Sequence, residues 1–289
     1  MADRNERRWW YLKIYLDEDC EAELLEESAA AISADPVSSA VDRWFFMRYS
    51  DEAERDVGTG SSSRPDTDTP GTHVRLRMQC TASAFAELRS RLEAIRFGTE
   101  NTAAIVVTAD YEPEAERYGG PDGLEIAHDV FMHDSIAALE LVPAVLRDPV
   151  IAAASAWGFL SSLGLTDGEV DVLYSRRFAR IANEMSITER ELAQSADKQV
   201  PSFTKRWPTA LSATRALTAG RPHTAALAAA GDRLRAASEQ GLLHRTLIDI
   251  AVDLQHMHFN RLGVSSRSEA SLVIMSCRAI CNSPSRGRG

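Results

Sequence analysis

The sequence predicts an α+β protein in which a ferredoxin-like split βαβ sheet domain is followed by a helical domain. Two observations lead to this prediction. Residues 1–111 alternate in the order strand, helix, strand, strand, helix, strand, and the hydrophobic spacing beyond Gly120 is helical. We therefore assign the sheet domain to residues 1–120 and the helical domain to residues 121–282, with a frayed tail at residues 283–289.

The strands are predicted from aromatic and β-branched segments with alternating hydrophobicity. In the first of them, Trp10, Leu12 and Ile14 fall on one face. The four predicted strands are residues 9–17, 44–50, 73–80 and 104–111. The stretch between the second and third strands, residues 51–72, is rich in Ser, Asp, Gly and Pro and is predicted as an inserted loop.

The helices are predicted from apolar residues at helical spacing. Residues 17–34 are rich in Glu, Leu and Ala and end before Pro36, while residues 81–97 place Phe85 and Leu88 on one face. The helical domain contains seven such segments, separated by polar, Gly or Pro breaks: residues 124–146, 150–163, 167–187, 208–219, 224–239, 242–262 and 268–281.

Composition and motifs exclude several classes of function. The chain has 289 residues, with 32 Lys plus Arg against 42 Asp plus Glu and a formal net charge of -10, which disfavours a direct nucleic-acid partner. Its apolar runs are too short to cross a membrane, and four scattered cysteines without a secretion signal predict reduced thiols in the cytoplasm. Phosphate-loop, G-x-S-x-G and H-E-x-x-H motifs are absent from the sequence, so we expect neither a metal nor a cofactor.

One face of the third predicted strand is cationic. His73, Arg75 and Arg77 alternate onto this face, and we expect Arg48 of the neighbouring strand to lie beside them. Arginine side chains in such an arrangement hold carboxylates bidentately. The alternative is an ordinary solvated sheet face that forms salt bridges to the helical domain.

The segment that leaves the fourth predicted strand contains Arg117, followed by Gly119 and Gly120. Paired glycines allow a tight turn with positive φ, and Arg117 would then lie at the junction of sheet and helices, where clefts tend to form. The alternative is an Arg117 side chain locked to a neighbouring glutamate: Glu112, Glu114 or Glu116.

The penultimate predicted helix carries two histidines on different faces. His258 and Arg261 continue the apolar stripe of Leu254, whereas His256 falls on the polar side with Asp253. A histidine and an arginine within a packed face favour a functional site, and a satisfied core histidine is the alternative. His256 is the rival base if the helix presents its polar side to a cleft.

Five motifs occur in order along the chain: WYLKIY at residues 10–15, WFFMRY at 44–49, HVRLR at 73–77, ERYGG at 116–120 with Asp134-Ser135 downstream, and HMHFNRL at 256–262. Together they resemble the thiopeptide-type bacteriocin biosynthesis family. This family includes the C-terminal glutamate-elimination domain of lantibiotic dehydratases, its stand-alone versions and the related pyridine synthases that close thiopeptide macrocycles. The resemblance covers nearly the whole chain.

The resemblance implies action on a ribosomally synthesised precursor peptide that carries a leader. In the elimination branch, a separate glutamylation protein esterifies Ser or Thr with glutamate from glutamyl-tRNA, and the present chain removes the glutamate to leave dehydroalanine or dehydrobutyrine. Elimination needs a base for the Cα proton and charge stabilisation for the departing carboxylate. The catalytic residues implied by the motifs are Arg75, Arg77, Arg117 and either His256 or His258. The implied substrate contacts are Arg48, His73, Tyr174, Asn260 and Arg261.

In the other branch, two dehydroalanines of one peptide undergo a formal 4+2 aza-cycloaddition, and loss of water and of the leader gives a pyridine. Tyr174, Ser175 and Arg176 are candidates for that chemistry because they cluster. We favour elimination because the arginine strand, the Arg-Tyr-Gly-Gly turn and the two-histidine helix occur together. A third alternative is a protein that only escorts the precursor peptide, and a homodimer is compatible with all three.

Overall fold

The computed structural model describes residues 6–16, 20–35, 37–50, 72–98 and 101–281. The chain divides into two compact units, Met1–Pro113 and Glu114–Gly289, so the turn that carries Arg117 belongs to the second unit. The predicted inserted loop at residues 51–72, apart from Thr72, lies outside the described residues, as does the predicted tail at residues 283–289.

The first unit contains a four-stranded antiparallel sheet. The strands of this sheet are β1 (Arg8–Tyr15), β2 (Val41–Ser50), β3 (Thr72–Cys80) and β6 (Ile105–Ala109). Two short strands, β4 (Arg96–Phe97) and β5 (Thr102–Ala103), form a separate pair. The sheet order is β2-β3-β1-β6, and each neighbouring pair is antiparallel. Because β3 lies between β1 and β2, this is a split βαβ unit, and the predicted fold class is confirmed.

Two helices, α1 (Glu21–Ser33) and α2 (Ala82–Ala94), lie on the apolar side of this sheet. Trp10 of β1 stacks on Phe85 of α2 with ring centroids 4.1 Å apart. Leu12 and Ile14, which share the face of Trp10, are fully buried. The side chain of Thr81 accepts a hydrogen bond from the backbone N–H of Ala84 and so caps α2. The predicted alternation of β1 therefore identifies the core side of the sheet.

The second unit is helical. Its described helices are α3 (Pro121–Arg147), α4 (Val150–Ser162), α5 (Asp167–Glu184), α6 (Glu189–Ala196), α7 (Val200–Thr218), α8 (Pro222–Glu239), α9 (Leu247–Arg261) and α10 (Ser266–Cys281). In the part of the chain that the structure describes, no helix is both long enough and apolar enough to span a membrane.

The largest differences from the predicted helices of the second unit concern α6, α7 and α9. Helix α6 was not predicted, although Thr188 and Glu191 form a capping box at its start. Helix α7 begins at Val200 and continues through Pro208, a residue that we expected to start the helix. Helix α9 begins at Leu247 because the Thr246 side chain caps it there. For α6 and α9, side-chain capping by Thr188 and Thr246 rather than hydrophobic spacing decides where the helix begins.

Candidate functional site

The cationic face predicted on β3 is present, and aromatic rings surround it. Antiparallel pairing sets Arg77 opposite both Tyr11 of β1 and Phe45 of β2. The Arg77 guanidinium carbon lies 4.7 Å from the ring centroid of Tyr11, 5.5 Å from that of Phe45 and 5.1 Å from that of Tyr111. Such rings attract a guanidinium through the negative faces of their π systems.

The neighbouring cationic residues of this face also pack against aromatic rings. The Arg75 guanidinium carbon lies 3.3 Å from the ring centroid of Tyr49. The Nε of Arg75 donates a hydrogen bond of 3.1 Å to His73 Nε2, so the lone pair of that imidazole nitrogen faces the arginine. His73 stacks on Tyr49, with 5.9 Å between ring centroids. The three predicted residues therefore belong to one connected cation and aromatic surface.

This face is not the ordinary solvated surface that was the alternative. Only 8% of Arg77 and 2% of His73 are exposed, and Tyr11 is also buried. Burial raises the pKa of Tyr11 to about 12, so its phenol stays protonated beside the arginines at neutral pH. Guanidinium groups in such surroundings attract an anion more strongly than in bulk water.

The expectation that Arg48 lies beside these residues is wrong. In the observed register Arg48 is opposite Val74, whose side chain points to the apolar side of the sheet. There the Arg48 guanidinium forms an ion pair with Glu21 at the start of α1. Arg48 therefore connects the sheet to a helix of its own unit on the face opposite Arg75 and Arg77.

In the second unit, Arg117 lies in the turn that precedes α3. Gly119 and Gly120 have φ values of 88° and 92°, as the paired glycines predict. The Nε of Arg117 lies 3.2 Å from Asp253 Oδ1, and its Nη1 donates to Glu114 Oε2 at 3.0 Å. A contact to a neighbouring glutamate was the alternative reading of Arg117, and the structure contains it together with the contact to α9.

Asp253 holds a second arginine with its other oxygen. Arg245 Nη1 donates to Asp253 Oδ2 at 2.6 Å and also to the backbone carbonyl of Arg117. Burial alone lowers the pKa of Arg117, but Tyr118, Asp253 and Glu114 raise it above its usual value, so the guanidinium stays charged. The carboxylate of Asp253 therefore fixes both the side chain and the backbone of the Arg117 turn.

His258 lies inside the helical unit, where α3, α4 and α9 meet. His258 Nδ1 is 2.6 Å from Asp134 Oδ1, and its Nε2 is 2.6 Å from Ser155 Oγ. The His258 ring stacks on Phe159 at 4.8 Å, and the residue is only 2% exposed. Arg261 is fully buried, and it donates to Asp134 Oδ2 at 2.9 Å.

The Asp134 carboxylate therefore joins a histidine and an arginine within the core. Burial alone raises the pKa of Asp134, but His258 and Arg261 lower it below its ordinary value of 3.8, so the group is ionised at neutral pH. Arg261 Nε also donates to Ser135 Oγ at 3.2 Å. The network is a packed ionic centre, and both ring nitrogens of His258 are engaged within it.

His256 has a different environment. Its Nδ1 lies 2.7 Å from Glu269 Oε2 of α10, and Arg177 Nη2 donates to the other oxygen of Glu269 at 2.7 Å. Burial alone raises the pKa of Glu269, but the contacts with His256 and Arg177 lower it below 4.5. The Glu269 side chain is only 2% exposed, whereas that of His256 is 30% exposed. His256 is therefore an oriented imidazole that solvent reaches.

The two histidines are separated by the geometry of α9. Around the helix axis, His256 is separated from Asp253 by about 60°, whereas His258 is separated from it by about 140°. His256 thus shares a face with the residue that binds Arg117, and half-buried Asn260 continues that face. The structure brings Arg117 and His256 to one side of α9 and directs His258 to the other.

Tyr174, the remaining predicted substrate contact, is buried against α9. Its hydroxyl accepts a hydrogen bond of 3.1 Å from Gln255 Nε2, and only 2% of the residue is exposed. Burial raises the pKa of Tyr174 above its usual value. Arg176, its neighbour in the predicted cluster, is half-exposed and pairs with Asp249. Tyr174 therefore supports α9 from within the core.

The four residues that organise these centres were not assigned roles from the sequence: Asp134, Ser155, Asp253 and Glu269. Asp134 lies next to Ser135, downstream of the ERYGG motif, and this Asp-Ser pair is the sequence signal that could have identified it as a functional residue. Glu269 reaches His256 only because α10 packs on α9. Among the described residues, no group of three His, Cys, Asp or Glu side chains could hold a metal ion.

The chain belongs to the lantibiotic biosynthesis dehydratase C-terminal family, whose model matches residues 9–57 and 66–280. It is 32% identical over 130 residues to nisin biosynthesis protein NisB of Lactococcus lactis subsp. lactis, and 30% identical over 131 residues to subtilin biosynthesis protein SpaB of Bacillus subtilis. Each match covers 44% of this chain and 11% of the relative, so the similarity concerns a small part of those longer proteins.

Solved structures share the fold. The tRNA-dependent lantibiotic dehydratase MibB from Microbispora sp. 107891 matches with a TM-score of 0.68 and 20% identity, over 97% of this chain and 28% of MibB. The pyridine synthase TbtD from thiomuracin biosynthesis matches with a TM-score of 0.56 and 15% identity, over 94% of this chain and 97% of TbtD. TsrL matches with a TM-score of 0.60 and 15% identity, over 94% of both chains. The family resemblance is confirmed, and the fold of this chain is shared with the matched part of each of these proteins.

Proposed function

We propose that this chain removes glutamate from glutamylated Ser or Thr residues of a ribosomally synthesised precursor peptide. The His256–Glu269 pair carries the proposal, because it provides an oriented and half-exposed imidazole on the face of α9 whose Asp253 binds Arg117. Membership of the dehydratase C-terminal family and the similarity to NisB and SpaB support it. The substrate would come from a separate glutamylation protein, and the leader of the peptide would guide binding.

In this proposal arginines stabilise the departing glutamate, and the candidates are Arg75 and Arg77 of the first unit and Arg117 of the second. A guanidinium presents a rigid fork of N–H donors that matches a carboxylate. The aromatic rings around Arg77 keep water away from it, and the partners of Arg117 keep that group charged. Negative charge that develops on the leaving carboxylate is then met by fixed positive charge.

His256 acts as the base in the same scheme. It takes the Cα proton of the esterified residue, the electron pair of that C–H bond forms the Cα=Cβ double bond, and the Cβ–O bond breaks. The products are dehydroalanine or dehydrobutyrine, glutamate as a carboxylate, and a protonated His256. Buried Glu269 stabilises the imidazolium and orients the ring. His258 is assigned a structural role, since its ring is buried and both nitrogens are engaged.

The test supplies a purified peptide that carries glutamyl esters and follows its mass. We expect loss of glutamate with formation of dehydroamino acids. The Arg75→Ala variant should slow this loss by about 10²–10³-fold, the effect of removing one donor from a developing oxyanion, and leave the glutamylated peptide to accumulate. The matched control is Arg89→Ala, because Arg89 forms an exposed pair with Glu93 and a hydrogen bond to Thr108, both away from the arginine face of β3. Equal rates in both variants would contradict the role of Arg75.

A pyridine synthase is the second candidate, favoured by the near-complete mutual coverage with the pyridine synthase TbtD. A peptide that already bears dehydroalanines distinguishes the two. If that peptide undergoes ring closure and leader release while the glutamylated peptide does not react, the chain catalyses cycloaddition rather than elimination. A chain that binds both peptides and changes the mass of neither would instead be an escort protein.

A further inference from the structure

A small cavity of about 30 Å³ lies beside His258 within the helical unit. Asp134, Ser155 and His258 form its inner wall, and all three are almost completely buried. The half-buried hydroxyl residues Ser162 and Thr224 also line it, on the side that is less buried. The cavity thus extends from the ionic centre of the core toward partly exposed hydroxyl groups.

Two further polar groups line the same cavity. Thr214 of α7 is 4% exposed, and His223 of α8 is 5% exposed. Within the described residues, neither Thr214 Oγ1 nor His223 Nε2 has a hydrogen-bond partner. Buried hydroxyl and imidazole groups are almost always hydrogen-bonded in native proteins, by ordered water where protein groups do not suffice. The two groups therefore indicate a small polar ligand.

Ser155 adds a third hydrogen-bonding group. Its hydroxyl lies against His258 Nε2 and offers one hydrogen and two lone pairs. If Asp134 accepts the hydrogen of Nδ1, the serine donates to Nε2 and its lone pairs remain for another donor. If His258 is protonated, Nε2 donates and the serine hydrogen needs another acceptor. In either protonation state of His258, the Ser155 hydroxyl can form one more hydrogen bond with a ligand in the cavity.

We propose that this cavity binds about two ordered water molecules, which connect Thr214 and His223 to the Ser155–His258 pair. A water molecule needs roughly 10–15 Å³ of such volume and two to four polar partners, and the site offers both. The rival is a dry cavity, because Leu141, Phe159 and Leu227 also line it. The inference is independent of the reaction proposed above.

Crystallography of the full chain at high resolution tests the proposal directly. We expect density for ordered water within hydrogen-bonding distance of Thr214 Oγ1 and His223 Nε2, and no xenon in this cavity when the crystal is pressurised with the gas. Dry apolar cavities bind xenon. Xenon in the cavity, or an absence of water density there, would overturn the proposal, whatever the behaviour of any variant.

The Thr214→Val variant gives a second test, because it replaces the hydroxyl by a methyl group of similar shape. If Thr214 binds water, the thermal unfolding midpoint should fall by about 2–4 °C. Thr209→Val is the matched control, since Thr209 is an exposed residue of the same helix α7 that does not line the cavity, and its midpoint should change less. A midpoint that rises in Thr214→Val, or falls equally in both variants, would contradict a bound water at Thr214.

Discussion

Asp134→Asn is expected to lower the free energy of unfolding by about 3–5 kcal/mol, the cost of removing one partner from a buried ion pair. Asp134 is fully buried and accepts contacts from Arg261 and His258 with its two oxygens. The neutral amide would remove the negative charge of Asp134 that faces the Arg261 guanidinium, which is also fully buried. Urea unfolding followed by circular dichroism measures the effect.

Asp129→Asn is the matched control for this prediction. Asp129 lies on the same helix α3 and pairs with Arg233 at 2.5 Å, but the two side chains are 22% and 49% exposed. An exposed pair of this kind contributes about 0–1 kcal/mol, so the control should unfold almost as the wild type does. Similar small losses in both variants would show that the buried centre does not hold α3, α4 and α9 together.

His256→Gln should slow glutamate elimination by about 10²–10⁴-fold, the usual contribution of a general base, while the fold persists. Glutamine keeps a hydrogen-bonding side chain next to Glu269 but cannot take up a proton. Because the His256 side chain is 30% exposed, the substitution removes no core packing of the kind that surrounds His258. Release of glutamate from a glutamylated peptide, followed with time, measures the loss.

His133→Gln is the control for the histidine prediction. His133 is a half-buried residue of α3 and belongs to neither histidine centre of α9. Its variant should react at the wild-type rate, and the unfolding midpoints of both variants should be compared with that of the wild type. If His256→Gln also retains the wild-type rate, His256 is not the base.

The fold could be predicted because its signals are local. The alternation of Trp10, Leu12 and Ile14 identifies the buried side of β1, and the order of strands and helices fixes the split βαβ topology. The second unit was harder. Helix α7 continues through Pro208. Because proline usually interrupts or starts a helix, the predicted start of α7 was too late in the chain.

Arg48 shows that the position of a strand is easier to predict than the side of the sheet on which each of its residues lies. Side chains alternate with a period of two, so grouping a residue with the neighbouring strand requires the pairing register. That register sets Met47 opposite Arg75 and Tyr49 opposite His73, and Arg48 between them must point the other way. Register depends on the whole sheet, and the sequence of β2 alone does not contain it.

The two histidines of α9 show the same limit for helices. Helical spacing correctly separates His256 from His258, yet both faces of α9 are covered by other helices to different degrees. The polar partners Asp134 and Glu269 come from other helices, α3 and α10. Which histidine is buried is therefore a property of helix packing, and spacing within α9 could not decide it.

The mass of the peptide after glutamate has left tests the central claim most directly. A peptide with a glutamylated serine deuterated at Cα should yield dehydroalanine, lose its deuterium and react more slowly than the undeuterated peptide, because the proposed chemistry breaks the Cα–H bond. Recovery of unmodified serine with its deuterium retained would mean that the ester is merely hydrolysed, and would contradict elimination by this chain.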